Sequence, residues 1–333
     1  MAAEPLDDEI ARRAARFEQR TNKPRPTDES VQIGEVEDET QNDQRRYKLG
    51  LENIDVSMGR LRPGEFTVIG ALTGYGKTSL LEQIGRSNAL DYKVFFATLE
   101  MTEAEIQSNM IAREMGLDLD DFERERASRT DKYAEALART RALNLRLWRP
   151  PLGRAPNIQA IFKRAEQTSS DMLMIDYAAL LEGWIPGNEA AKMVRYIQGQ
   201  AKATGIHVVL LAQLQFEALG KRPTMFHMED TKLLNKSPST VILVHRPFAG
   251  KNPLSDTVAE MIIAKNRKGK LFRGHVHWYG PTHTFYAMTR EDESRVQCCK
   301  KRPPKAKQAP KQEPELEPEV GQDDHYLDDP LPF

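Results

Sequence analysis

Cysteine is nearly missing. The chain has two in 333 residues, and they are neighbours, Cys298 and Cys299. Adjacent thiols cannot tie distant parts of a fold together, which excludes a disulfide scaffold and suits a reducing, cytoplasmic setting. Long apolar runs are also lacking. None approaches the ~20 residues needed to span a bilayer, so no membrane partner is expected. The opening MAAEPLDDEIARR is acidic and has no apolar h-region, so it does not read as a secretory signal. Net charge is close to zero, −1 at pH 7, so any nucleic-acid surface has to be local. No internal repeat is evident.

Hydrophobic residues make up 39% of the chain, enough for one core if the polar residues gather elsewhere. They gather at the ends. Residues 19–46 are polar and almost without large apolar side chains, and read as a flexible linker. Ahead of them, residues 1–18 place Leu6, Ile10, Ala14 and Phe17 on one helical face. A helix that short is not stable alone, which leaves two readings, a docking helix and a frayed tail. Residues 293–333 are low-complexity, first basic (KKRPPKAKQAPK) and then acidic (EPELEPEVGQDDHYLDDPLPF), and disorder is expected there.

Between these ends, residues 47–292 alternate strand and helix patterns. FTVIGA, KVFFATLE, LRLWR, MLMIDY, HVVLLAQL, TVILVHR and AEMIIAK are short apolar runs that suit strands buried on both faces of a largely parallel sheet. Helical patterns separate them, as in TSLLEQIGRSNAL, EAEIQSNMIAREM, NIQAIFKRAEQ and EAAKMVRYIQGQAKATG. The alternation predicts one α/β domain of the doubly wound kind. FRGHVHWYGPTHTFYAM predicts a closing antiparallel hairpin turning at Gly280 and Pro281.

The segment ALTGYGKTS, residues 71–79, follows the first predicted strand and opens a helix. It fits a Walker A loop. Glycines at 74 and 76 let the backbone curl so that its amides point at phosphate oxygens, and the following helix adds its unpaired N–H groups and positive dipole end. Lys77 is placed to reach the outer phosphates of ATP, and the Thr78 hydroxyl to ligate Mg²⁺. Nucleotide contacts are assigned to Ala71, Thr73, Gly74, Tyr75, Gly76, Lys77, Thr78 and Ser79. Asp176, at the end of MLMID, is the second metal acid, because strand ends of open α/β sheets face the ligand crevice. Glu100, closing KVFFATLE, is a candidate to orient the attacking water. Gln213, in HVVLLAQ, is an amide able to sense the γ-phosphate. Lys77 is the only cation expected in cis.

Walker A, then ATLEM, MIDY, LLAQL and IIAKNRKG, in this order and each at a strand end, resembles the RecA-like ATPase domain of DnaB-like replicative helicases over about residues 47–288. The resemblance implies an ATP- and Mg²⁺-dependent DNA helicase that forms a ring, typically a hexamer, and moves along single-stranded DNA with 5′→3′ polarity. In that family a Lys-x-Arg pair reaches the neighbouring subunit's ATP. Here it corresponds to Lys265 and Arg267, inside a basic cluster, 265–270, that by itself also suits nucleic acid or solvent. Lys268 and Lys270 read as solvated. The resemblance also implies that a helix over 1–18 docks on the adjacent subunit. The family's helical N-terminal domain has no counterpart, which leans toward a phage or mobile-element protein. The family's DNA loop aligns with residues 229–232, where the sequence is EDTK and an acid stands for the expected Arg. Lys232, Lys236, Lys221 and Arg222 are the candidate phosphate contacts, a solvated basic loop being the plain alternative for the latter two.

DDHYLDDPLPF resembles the acidic, aromatic-ended tails of bacterial single-stranded-DNA-binding proteins. Residues 328–333 are therefore a candidate partner-binding tail, with Phe333 filling a pocket and Asp328 and Asp329 meeting basic residues. Two other functions fit the same motifs, a recombination ATPase that coats DNA without unwinding it, and an ATP-gated adaptor. His275, His277 and His283 lack the companions of a metal site, and Trp148, Trp184 and Trp278 read as packing residues.

Overall fold

A run such as FTVIGA or MLMID has no polar alternation, so it is satisfied only between two apolar layers. In the computed structural model, which describes residues 43–151, 153, 155–228, 233–249, 257–289, 291 and 292, these runs are central strands. The strands are β1 (Phe66–Ala71), β2 (Val94–Thr98), β3 (Leu145–Trp148), β4 (Met172–Asp176), β5 (His207–Gln213), β6 (Thr240–His245), β7 (Val258–Asn266), β8 (Phe272–Tyr279) and β9 (Thr284–Ala287). They form one sheet in the order β3-β2-β4-β5-β1-β6-β7-β8-β9. The helices are α1 (Glu52–Met58), α2 (Lys77–Asn88), α3 (Glu103–Met115), α4 (Leu119–Ser128), α5 (Asp131–Arg141), α6 (Ile158–Gln167), α7 (Asn188–Thr204) and α8 (Leu233–Lys236).

Successive strand residues feed two cores. Ile69, Phe96, Met174 and Val209 pack with α1, α2 and α3 through Ile54, Leu80, Ile84, Ile106 and Met110. Their neighbours Val68, Phe95, Leu173 and Val208 pack with α6 and α7 through Ile161, Phe162, Val194 and Ile197. The six strands from β3 to β6 are parallel, as the sequence predicts. Their carboxyl ends, which carry Ala71, Asp176 and Gln213, therefore share one edge.

Three features differ from expectation. β7, read as one more parallel strand, runs antiparallel to β6, so the antiparallel part has three strands, β7 to β9. The connection 246–257 is about a dozen residues, only the lower limit for a parallel crossover, which usually also carries a helix. Second, contact with the domain starts within the residues assigned to the linker, because Arg45 donates to Asp171 at 2.8 Å. Third, α3, α4 and α5 enclose a small core of their own around Ile111, Met115, Phe122 and Ala136.

The chain divides into two units, 1–288 and 289–333. In the second, Thr289 donates from its amide and hydroxyl to the Asp292 carboxylate, at 3.1 and 2.7 Å. The helix expected over 1–18, residues 19–42 of the linker, the segment 229–232 with Lys232, and the tail 293–333 lie outside the described residues. No helix among the described residues is long and apolar enough to cross a membrane.

Candidate nucleotide site

The first strand delivers the chain to a turn that only glycine can complete. β1 is buried from end to end and leads through residues 72–76 into α2. Gly74 and Gly76 take φ values of 77° and 89°, in the left-handed region that favours glycine. Gly76 is also crowded, since a Cβ there would lie 2.8 Å from both Trp278 and Phe285. Gly76 is the N-cap of α2 and no side chain caps that end. Its amides therefore lie open to an anion, beside a positive dipole end. Ala71 is buried in β1, Thr73 and Gly74 are exposed, and Tyr75 through Ser79 are half-buried.

Thr78, in the first turn of α2, meets Asp176 at the end of β4. The Thr78 hydroxyl donates to Asp176 Oδ2 at 2.8 Å. Asp176 is only 1% exposed, and its Oδ1 has no hydrogen-bond partner among the described residues. Burial pushes its carboxyl up to about 6, with the Thr78 bond and Lys77 opposing and Glu100 adding to the rise. A buried carboxylate with one unused oxygen beside a hydroxyl is a donor set that fits a hard divalent cation. Glu100 lies two residues past the end of β2, exposed, within electrostatic reach of Asp176. The ends of β2 and β4 are aligned by the Thr98–Asp176 pairing and by the bond from the Leu99 amide to the Asp176 carbonyl, 2.8 Å. The adjacent helix cap is made by others. Thr102 and Glu105 form the reciprocal capping box of α3, as their spacing predicts, and Glu100 takes no part in it.

Gln213 is brought to the same place by β5, whose register sets it opposite Ala71. Its side-chain amide donates to the Thr73 hydroxyl at 2.9 Å. One further cation was missed. Lys77 is not the sole cation in cis, because Arg246, the residue after β6, donates to the Gly74 carbonyl at 3.0 Å. Its guanidinium lies 4.8 Å from the Trp278 ring centre and 5.9 Å from that of Tyr75. The signal was available: an Arg directly after the apolar run TVILVH occupies the kind of strand-end position that singled out Asp176 and Gln213. Trp278 thus does more than pack. It walls the P-loop beside Gly76 and carries Arg246 on its face.

Lys265 and Arg267 are elsewhere. Because β7 is antiparallel, its end meets the starting edge of the parallel strands. Lys265 pairs with Val241, which pairs with Val68. Ala71, where the P-loop starts, lies about 10 Å further along β1, two strands across. Lys265 Nζ donates to the carbonyls of Asn235 and Lys236, at 2.9 and 2.5 Å, and Arg267 Nη2 to that of Lys236 at 2.8 Å. Burial, and then Arg267, lower the Lys265 ammonium to about 8. Arg267 and Lys268 also act on Glu65, the residue before β1. Lys268 and Lys270 are exposed.

The basic loop is divided. Lys221 and Lys236 are exposed. Arg222 is not simply solvated, since it makes two 2.9 Å bonds to Glu260, a fully buried acid on β7 that His275 also approaches at 3.2 Å. His283 stacks on Trp278 instead of meeting the other histidines. No group of three or more His, Cys, Asp or Glu among the described residues is arranged to hold a metal.

A profile of the family described as DnaB-like helicase C terminal domain matches residues 47–287. The chain is 24% identical over 237 residues to the replicative DNA helicase DnaB of Leifsonia xyli subsp. xyli, covering 66% of this chain and 51% of that one. It is 25% identical over 240 residues to a probable plasmid replicative DNA helicase of Chlamydia psittaci, covering 67% and 51%. The chain thus spans about half the length of the curated relatives it matches. Among solved structures, a DnaB-like replicative helicase described with its primase interactions superposes with a TM-score of 0.67 at 18% identity, over 86% of this chain and 73% of that one. A solved ATPase domain, covered in full, gives 0.67 at 17% identity over 86% of this chain. These two likenesses establish the fold, and the profile establishes the family. The chain belongs to the DnaB-like helicase C-terminal domain family.

Proposed function

We propose that this chain is the ATP-hydrolysing motor of a replicative DNA helicase, assembled as a ring of identical subunits, six by family resemblance, around single-stranded DNA in a bacterial or phage-infected cytoplasm. The observation that carries this is the separation of Lys265 and Arg267 from the P-loop of their own chain. Two cations set on the opposite sheet edge serve a phosphate only when a neighbouring subunit presents one.

The residues then divide the work. The open amides of α2 and the 73–79 turn hold the phosphates of ATP, with Lys77 on the outer ones. Thr78 and Asp176 hold Mg²⁺, which when bound offsets negative charge on the transferring phosphate. Glu100 orients the attacking water and takes its proton. Gln213 joins the P-loop to the loop that follows β5. Arg246 clamps Gly74 from within the subunit, and Lys265 and Arg267 act on the next. Fingers of that kind are worth ~10³ to 10⁵ in rate. Lys221, Lys232 and Lys236 meet the phosphates of single-stranded DNA, and residues 328–333 recruit a replication partner.

The test is subunit mixing. Lys77→Ala and Arg267→Ala chains are each expected to be inactive. Mixed, they form some composite sites with both residues intact, so DNA-stimulated ATP hydrolysis should partly return. Absence of any return, or hydrolysis by a monomer indifferent to DNA, overturns the proposal.

A further inference from the structure

Two phenylalanines stand in solvent just beyond the nucleotide site. Phe216 is 77% exposed and Phe226 85%. One exposed apolar side chain needs no explanation; two aromatics on one loop do, because the loop is built to present them. Phe216 opens a 3-10 turn, Phe216–Ala218, closed by the bond from the Ala218 amide to the Gln215 carbonyl, 3.0 Å. Phe226 is the middle of a second, Met225–His227, closed by the bond from the His227 amide to the Thr224 carbonyl, 3.1 Å. His227 Nδ1 also accepts from the Thr224 amide at 2.9 Å. The two turns are tied at their base. Leu214 pairs with Met228, and the Gln215 amide donates to the His227 carbonyl at 2.7 Å. Each phenylalanine therefore sits one residue beyond the paired base. Between the turns, Arg222 is anchored to Glu260 and Lys221 is exposed.

We infer that Phe216 and Phe226 are a stacking platform for the bases of single-stranded DNA, with Lys221 beside them for the phosphates. This rests on the DNA-motor function proposed above. Flat aromatic faces next to a cation accept any base, which suits a motor that must not read sequence. The placement also gives the contact a consequence. The loop leaves β5 at Gln213, whose amide is bonded to Thr73 of the P-loop. A base seated on Phe216 therefore acts three residues from a group that touches the nucleotide site.

The experiment measures binding of the full chain, with Mg²⁺ and a non-hydrolysable ATP analogue, to a labelled oligothymidylate and to an abasic oligonucleotide of the same length. The wild type should bind the thymidylate roughly tenfold or more tightly, the scale of one or two stacked bases. Phe216→Ala and Phe226→Ala should each lose about that factor on the thymidylate and little on the abasic strand. Phe216→Trp and Phe226→Trp should keep it, with fluorescence quenched by the thymidylate. Equal wild-type affinity for both strands overturns the inference alone. So does an equal loss on both strands in the alanine variants, or their dissociation by light scattering, which would make these residues a subunit contact. A wild type that binds neither strand overturns the DNA function itself, and the platform with it.

Discussion

Gln213 and Thr73 are joined across the mouth of the P-loop, the side-chain amide donating to the hydroxyl at 2.9 Å. β5 and β1 are paired in parallel up to Gln213 and Ala71, and the bond from the Leu214 amide to the Ala71 carbonyl, 3.1 Å, extends the ladder one step. Any shift of the loop after Gln213 is thus felt at residues 71–73. Gln213→Glu keeps the shape and removes the donor. DNA stimulation of ATP hydrolysis should fall by about tenfold, within the range for residues that couple two sites. The check is the ratio of rates with and without single-stranded DNA, and an unchanged ratio would remove Gln213 from the coupling.

Asp176 gives a pH signature. Its carboxyl rises from 3.8 to about 6 through burial. The folded chain therefore holds this proton where the unfolded chain releases it. The group's contribution to stability falls as pH climbs from about 4 to about 6 and stays lost above. Asp176→Asn removes that cost, at most about 3 kcal/mol. Without divalent cation near pH 7.5 the variant should melt higher than the wild type. Mg²⁺ should raise the melting temperature of the wild type but not of the variant. A wild type indifferent to Mg²⁺, with and without nucleotide, would count against Asp176 as a ligand.

Arg246 separates action within a subunit from action between subunits. Arg246→Lys keeps the charge but loses the planar group that spans Gly74 and the Trp278 face, so KM for ATP should rise by about tenfold, the loss of one charge-assisted bond. Arg246→Ala should be worse. Mixed with Lys77→Ala chains, it should give no return of activity, because both residues serve the same subunit's site and no composite holds both. The Arg267→Ala mixture should recover. Recovery in both, or in neither, contradicts the assignment.

What could be read in advance follows from how locally each feature is encoded. β1, β4, β5 and β6 are unbroken apolar runs, and the P-loop, Asp176 and Gln213 sit at their ends, so strand and site were legible together. The direction of β7 was not. MIIAK reads the same in either direction, and the connection 246–257, at the lower limit of a parallel crossover, does not decide between them. Helices α4 and α5 escaped because they bury little, Phe122 in one and Ala136 in the other, under a run of charges such as ERERASR. The Arg222–Glu260 pair joins residues 38 apart in the chain, and no local pattern announces such a partner.

The buried pair of Glu82 and Arg113 sets how firmly the P-loop helix is held. Glu82, on α2, and Arg113, on α3, are 2.8 Å apart and both nearly inaccessible. Arg113 also donates to the carbonyl of His283 and the hydroxyl of Thr284, each at 3.1 Å, which ties the β8–β9 turn to both helices. Burial raises the Glu82 carboxyl, and Arg113 opposes the rise. Removing one partner strands a charge in the core. Arg113→Leu should therefore cost about 3–5 kcal/mol, read from urea melts, and should loosen ATP binding with it. Glu82→Leu combined with Arg113→Leu removes the stranded charge and should recover part of the loss. The recovery stays incomplete because the His283 carbonyl and the Thr284 hydroxyl still lose their donor. A double variant no more stable than Arg113→Leu alone would place the cost in the turn contacts and not in the ion pair.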